Sequence, residues 1–165
     1  MSRVALYVGR FQPFHNGHMH ALRSILSESD KVLIVLGSAQ KQFEPENPLT
    51  LEERLDLVRL NTEGMEVEVF TLDDIHDDNQ WVEYLTSNIP HYDAVYSGSK
   101  IVQNLFKTAS QNILPVEFLE GVTGTLIRER ALIGDDYADL VSPVTFDYLQ
   151  NINFADRIRE IANSQ

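Results

Sequence analysis

The segment His15-Asn16-Gly17-His18 carries the residue types and spacing that most directly suggest chemistry. It lies where an apolar run, Val4 to Val8, passes through Gly9-Arg10-Phe11-Gln12-Pro13-Phe14 into a helical pattern. It is neither a Walker loop nor the G-x-G-x-x-G dinucleotide fingerprint. Gly17 allows a ligand close to the backbone, and Asn16 can cap the first helical turn. The two imidazoles then flank backbone N–H groups at the positive end of a helix. That arrangement is expected to bind an anion, most simply phosphate. Metal ligation is the weaker reading, because no third ligand accompanies the pair and a catalytic zinc needs three. His20, two residues beyond His18, points elsewhere on a helix and reads as structural or surface.

Short apolar runs alternate with helix-period segments along the chain. Val4–Val8, Val32–Leu36, Val67–Leu72, Ala94–Tyr96 and Pro115–Leu119 read as five strands of the buried parallel type. Met19, Ala21, Leu22, Ile25 and Leu26 form a helical stripe. Thr50 with Glu53 is a capping box opening a second helix. Further helices are expected over Asn79–Asn88, Ser99–Ala109 and Thr123–Ile133, the last closed by Gly134. From Tyr137 the pattern is helical to the end, with Pro143 at a helix start. Alternation of this kind predicts an α/β, Rossmann-like, doubly wound parallel sheet of five strands, ordered 3-2-1-4-5, with C-terminal helices. One domain is expected over 1–165, an α/β core to 134 followed by a helical segment. Leu140-Val141 and Ile158–Ile161 read as core or subunit packing.

Ligands of such sheets sit beyond the carboxyl ends of the strands. The loops there carry the polar chemistry: Gly9 to His18, Gly37-Ser38-Ala39-Gln40, Asp73-Asp74 with Trp81 beyond, Ser97-Gly98-Ser99, and Glu120 to Thr125 followed by Arg128. The opposite loops, such as Ser29-Asp30-Lys31, are short and bland. Arg128 near a helix start is electrostatically misplaced unless an anion sits there. Arg130 could be a second phosphate contact or plain surface charge.

The 165 residues carry 13 basic and 25 acidic side chains, a net charge of −12. That balance argues against nucleic-acid or anionic-membrane partners, which need a basic surface. A small anionic ligand responds to local charge and stays open. Nine of the 13 basic residues are arginine, whose fork suits phosphate oxygens. Cysteine is absent, which removes disulfides and thiol chemistry. No apolar run is long enough to span a membrane, and Met1-Ser2-Arg3-Val4 leads straight into an apolar strand without a signal-peptide cleavage site, so no signal peptide is expected. A cytoplasmic location is expected.

Gly9-Arg10-Phe11-x-Pro13-Phe14-His15-x-Gly17-His18 resembles the signature of the HxGH nucleotidyltransferases. Thr123-Gly124-Thr125-Leu126-Ile127-Arg128 resembles that superfamily's second hallmark, with Thr123 for a common Ser and Leu126 for a common Glu. Gly37 to Lys41, Asn47-Pro48-Leu49-Thr50 with Glu53-Arg54, Asp74-Ile75 with Trp81, and Tyr96-Ser97-Gly98 are similar to the archaeal-type nicotinamide-nucleotide adenylyltransferases. Two further departures stand out: Asp78 occupies a frequent Asn position, and Ser99-Lys100 replaces a common Asn-Pro. The likeness runs from about Val4 to Arg159. Nothing resembles the Nudix helix to which this domain is fused in some bacteria.

The resemblance implies that ATP and nicotinamide mononucleotide (NMN) give NAD and pyrophosphate, with Mg2+ accompanying ATP. It implies that His15 and His18 hold the ATP phosphates through the transition state. Arg10 and Arg128 would contact phosphates as well, and these four form the catalytic set. Gly9, Phe11, Gly17, Ser97, Gly98, Thr123, Gly124 and Thr125 complete the ATP side. Trp81 would stack on the pyridinium, where a cation–π term is worth about 0.5–2 kcal/mol. Asp74 would sit beside it, with Gly37, Ser38 and Asn47. A homo-oligomer, commonly a hexamer, is implied too. Two other readings stay open. One is another HxGH nucleotidyltransferase using a phosphopantetheine, flavin or sugar-alcohol phosphate. The other is a nucleotide-binding regulator without chemistry.

Overall fold

A computed structural model of the chain describes residues 2–75 and 77–165. Four strands form one parallel sheet: β1 (Val4–Gly9), β2 (Lys31–Leu36), β3 (Val67–Thr71) and β4 (Ala94–Tyr96), in the order β3-β2-β1-β4. β1 pairs with β2 from Val4–Lys31 to Gly9–Leu36, and with β4 from Ala5–Ala94 to Tyr7–Tyr96. The two inner strands are buried over nearly their whole length, which explains their unbroken apolar character.

The expected fifth strand, Pro115–Leu119, does not form, and the sheet order is 3-2-1-4, not 3-2-1-4-5. The Leu114 N–H donates to the Val95 carbonyl at 2.7 Å, making one parallel bridge with Tyr96. Pro115 follows at once and has no N–H to continue the ladder. Apolar composition alone did not reveal that missing donor.

The helices are α1 (Asn16–Ser27), α2 (Leu51–Asn61), α3 (Asp78–Asn88), α4 (Lys100–Thr108), α5 (Gly124–Ile133), α6 (Pro143–Asn151) and α7 (Phe154–Asn163). The Thr50–Glu53 capping box is present at α2. Gly134, at φ +80°, closes α5, a left-handed position that glycine takes without a Cβ penalty. The helical stretch expected from Tyr137 onward is divided. A 3-10 turn covers Ala138–Leu140, and Asn153, left-handed at φ +56°, separates α6 from α7. Among the described residues no helix is long and apolar enough to cross a membrane.

The contacts group into two compact units. The first holds residues 2–10, Ala21–Gln40 and Met65–Phe118, hence the whole sheet with α3 and α4. Its core joins Leu6, Val8, Leu33, Val35 and Val95 of the sheet to Leu72, Trp81, Val82, Leu85 and Phe106. The second holds Phe11–His20, Lys41–Gly64 and Leu119–Gln165. There Tyr137 packs against Phe146 and Phe154, while Leu140, Val141, Ile158 and Ile161 are buried.

Candidate active site

Within the second unit, His15 directly precedes α1 and caps it. Its carbonyl accepts from Met19 N–H at 3.1 Å. Its ring Nδ1 accepts from the Gly17 and His18 N–H groups at 3.0 and 3.3 Å. His18 Nδ1 in turn accepts from His15 N–H at 3.1 Å. A ring nitrogen that accepts carries no proton, so each neutral imidazole holds its proton on Nε2. The rings stack with centroids 3.6 Å apart. Phe11 and Phe14 pack on His18 at 4.6 and 5.4 Å. Phe11, itself buried and at φ +55°, acts as a support for the histidine ring.

This geometry corrects two expectations. The cap is His15, not Asn16, whose Nδ2 donates instead to the Asp139 carbonyl at 3.2 Å. The N–H groups of Gly17 and His18 are not left for an anion, because His15 Nδ1 already accepts from them. The ring donors that remain are the Nε2–H groups. Each is strengthened by the backbone hydrogen bond into its own ring, since linked hydrogen bonds polarise one another. The helix terminus thus acts through the imidazoles.

Burial, then the Arg128 charge, pushes the His15 pKa down to about 4. Burial, then His15, holds His18 well below the ordinary value. Both rings are therefore neutral donors at pH 7. A histidine depressed on folding favours the native state above its unfolded pKa, near 6.5, and that contribution is lost as pH falls towards 4. For His15 alone the shift from 6.5 to about 4 corresponds to about 3 kcal/mol. His15→Asn retains a good N-cap and removes the titration. Denaturant unfolding between pH 7 and 4 should show a flatter decline for this variant than for the parent. Parallel curves would contradict the assignment.

Gly17 serves the histidine as much as any ligand. A Cβ there would stand 2.8 Å from His15 Cε1 and 3.3 Å from the Val122 carbonyl oxygen. Gly17→Ala should gain about 1 kcal/mol of helix propensity, yet the ring must move. We expect no net stabilisation and at least a tenfold fall in activity. A more stable variant of undiminished activity would show the ring position to be unimportant.

On α5, Arg128 Nη1 donates to the Gln12 carbonyl at 2.9 Å and Nη2 to Thr125 Oγ1 at 3.3 Å. The side chain lies back along its helix over Gly124, where a Cβ would come within 2.9 Å of Nη1. Thr123 caps α5 by accepting from Leu126 N–H at 3.0 Å. The hydroxyls of Thr123 and Thr125 thus have structural tasks, and an anion at this helix start would offset the cation placed there. Arg130 pairs with Asp139 at 2.9 Å. Asn47 is buried, its Nδ2 donating to Glu44 at 3.1 Å while its Oδ1 meets no donor. Sequence reasoning passed over Gln12; the signal was a glutamine flanked by aromatic and proline residues, where burial demands partners.

In the first unit, Ser38 sits at φ +50° and its hydroxyl donates to Asp74 Oδ2 at 2.8 Å. Gln40 accepts from Asp74 N–H at 3.1 Å. Gly37 N–H donates to the Gly9 carbonyl at 2.9 Å, and Arg10 is exposed just past β1. Ser97 is fully buried, donating to the Val8 carbonyl at 2.9 Å. A Cβ on Gly98 would stand 3.3 Å from the Phe118 ring. Trp81 is 7% exposed and meets Phe106 edge-on at 6.1 Å, so most of its surface is core. Asp77, read as solvated charge, caps α3 by accepting from Asn79 N–H at 3.0 Å. Among the described residues no three acidic or histidine side chains gather as a metal cage.

The family described as cytidylyltransferase-like matches residues 6–130. A nicotinamide-nucleotide adenylyltransferase of Methanolobus tindarius is 36% identical, over 98% of this chain and 96% of the relative. One from Methanoculleus marisnigri is 35% identical over 99% of each. A solved bifunctional NMN adenylyltransferase/ADP ribose pyrophosphatase of Francisella tularensis, complexed with AMP and a Mn ion, superposes with a TM-score of 0.78 at 22% identity. The match covers 98% of this chain but 52% of that one, so the chain spans about half the length of the solved neighbour. On the sequence likeness along almost its whole length, the chain belongs to the cytidylyltransferase-like family, among the nicotinamide-nucleotide adenylyltransferases.

Proposed function

We propose that this chain joins ATP to NMN, releasing pyrophosphate and forming NAD. An oxygen of the mononucleotide phosphate attacks the α-phosphorus of ATP in line. The new P–O bond forms as the bond to the β-phosphate bridging oxygen breaks, and that electron pair leaves with pyrophosphate. The nucleophile is already ionised, its second pKa being about 6. No general base and no covalent intermediate are needed. Catalysis is then positioning and charge stabilisation.

The observation that carries this reading is the pair of stacked, neutral imidazoles whose Nδ1 atoms are both committed to backbone N–H groups. Their Nε2–H groups suit phosphate oxygens that gain charge in the transition state. Arg128 supplies the positive charge for the β- and γ-phosphates, and Arg10 is assigned to the phosphates by resemblance alone. Trp81, Asp74, Ser38, Gly37 and Asn47 belong to the mononucleotide side by resemblance. A divalent metal, magnesium by resemblance, would accompany ATP and help neutralise its phosphate charge. We assign 1–165 as one nucleotidyltransferase domain, cytoplasmic and assembled as a homo-oligomer.

The test is incubation of the purified protein with Mg·ATP and a panel of phosphate acceptors, reading pyrophosphate release and product mass. NAD from NMN should dominate. Faster turnover of phosphopantetheine, a flavin nucleotide or a sugar-alcohol phosphate would overturn the substrate assignment. Nucleotide binding without pyrophosphate release would favour a regulator.

A further inference from the structure

The last helix, α7, carries none of the motifs above, yet one of its side chains connects to Arg128 through a run of hydrogen bonds inside the second unit. Arg157 forks onto Glu53, with Nη1–Oε1 at 2.5 Å and Nη2–Oε2 at 3.0 Å. Nη1 also lies 3.4 Å from the Pro48 carbonyl oxygen, and the guanidinium carbon stands 5.0 Å over the Phe43 ring. The pair is largely shielded, the two side chains being 19% and 13% exposed. A bidentate, shielded pair is the geometry in which such a contact holds its partners firmly.

Glu53 Oε1 is shared, for it also accepts from Thr50 N–H at 2.9 Å. Burial alone would raise the Glu53 carboxyl, but the bonds from Arg157 and Thr50 outweigh it and hold it below the ordinary range. Arg157 therefore fixes residues on both sides of Leu49. Leu49 is fully buried, and both of its backbone polar groups are taken by one side chain. Its N–H donates to Gln12 Oε1 at 2.9 Å, and its carbonyl accepts from Gln12 Nε2 at 3.2 Å. Gln12 is thereby locked as a strand neighbour would be. Its own carbonyl is the acceptor for Arg128 Nη1 at 2.9 Å.

We infer that Arg157 is a positioning residue for Arg128, acting through Glu53, the Pro48–Thr50 segment and Gln12 to fix where the phosphate-binding guanidinium points. The inference rests on the phosphate-binding reading of Arg128. The charge of Arg157 is balanced by Glu53. Its effect is geometric, and small misplacements of a binding group lower rates steeply.

The test is a double-mutant cycle in steady-state kinetics, run well below each variant's unfolding temperature. Arg157→Met should lower kcat/KM for ATP about tenfold and leave KM for NMN within about twofold. Arg157→Lys should restore only part of it, because an ammonium cannot fork. In an Arg128→Met background, Arg157→Met should cost less than about twofold, the mark of two residues acting as one unit. Equal losses in both backgrounds, or a fall in thermal stability with unchanged kinetics, would overturn the inference. Arg128→Met at the parent rate would overturn the phosphate reading and this inference with it. Should Arg157→Met fail to fold, Glu53→Gln keeps the α2 cap and weakens the fork. The same loss is expected of it where Arg128 is present and not in the Arg128→Met background, and full activity would refute the positioning role.

Discussion

His18→Ala is expected to lower kcat by about 10²–10³, the usual effect of removing one preorganised donor to a developing oxyanion. KM for ATP should change only a few-fold. The reason is the state of the ring. His18 is neutral because burial and the neighbouring His15 both disfavour its charged form, and its Nδ1 is committed to the His15 N–H at 3.1 Å. What remains is a single Nε2–H donor. Hydrogen bonds to ground-state phosphate oxygens exchange with water at little net gain, whereas those to oxygens gaining charge strengthen. Only the latter difference appears in kcat. The truncation also leaves the His15 N–H without its acceptor and opens space beside Phe11 and Phe14. A stability loss of about 1–3 kcal/mol should accompany the kinetic effect. A variant with parental kcat and a large rise in KM for ATP would mean that His18 merely binds the nucleotide.

The second large effect is at Trp81. Its indole lies within the sheet-and-helix core with Leu6, Val8, Leu33, Val35 and Leu85 and meets Phe106 edge-on. Trp81→Ala should therefore cost about 3–5 kcal/mol, a drop on the order of 10 °C in Tm for a chain of this length. That loss is separate from any stacking on the pyridinium. Trp81→Phe separates the two roles, since it retains much of the packing and shortens the ring. If the exposed edge meets the mononucleotide, KM for NMN rises several-fold while KM for ATP stays put. A less stable protein with both Michaelis constants unchanged would make Trp81 a core residue only.

Much of the fold was legible because periodicity and caps act locally. The apolar runs became β1 to β4, and Thr50 with Glu53 formed the capping box. The failures have physical causes. Pro115–Leu119 had the composition of a strand but lacked the donor at Pro115 that a ladder requires. Asn153 broke a continuous helical pattern by taking a left-handed conformation, which a polar side chain tolerates without announcing it. The candidate site could be read from the sequence as a set of residues to inspect and less so as a geometry. His15, Gly17, His18, Gly124 and Arg128 were all singled out. That His15 would itself cap α1, and that Gly17 and Gly124 would clear space for a histidine and an arginine side chain, depended on side-chain directions that spacing does not specify. The partners of Gln12 and Arg157 were not legible for the same reason: each bonds to polar groups contributed by segments distant in sequence.

The central claim is that two neutral imidazoles, protonated on Nε2, donate to the phosphates of one nucleotide. Nitrogen-15 NMR of the histidine side chains tests it directly, recorded at pH 7 without and with a non-hydrolysable ATP analogue. The account predicts Nδ1 unprotonated and Nε2 protonated for both His15 and His18 in the free protein, and a marked shift of both Nε2 signals when the analogue binds. Protons on Nδ1, or Nε2 signals indifferent to a saturating nucleotide, would contradict it.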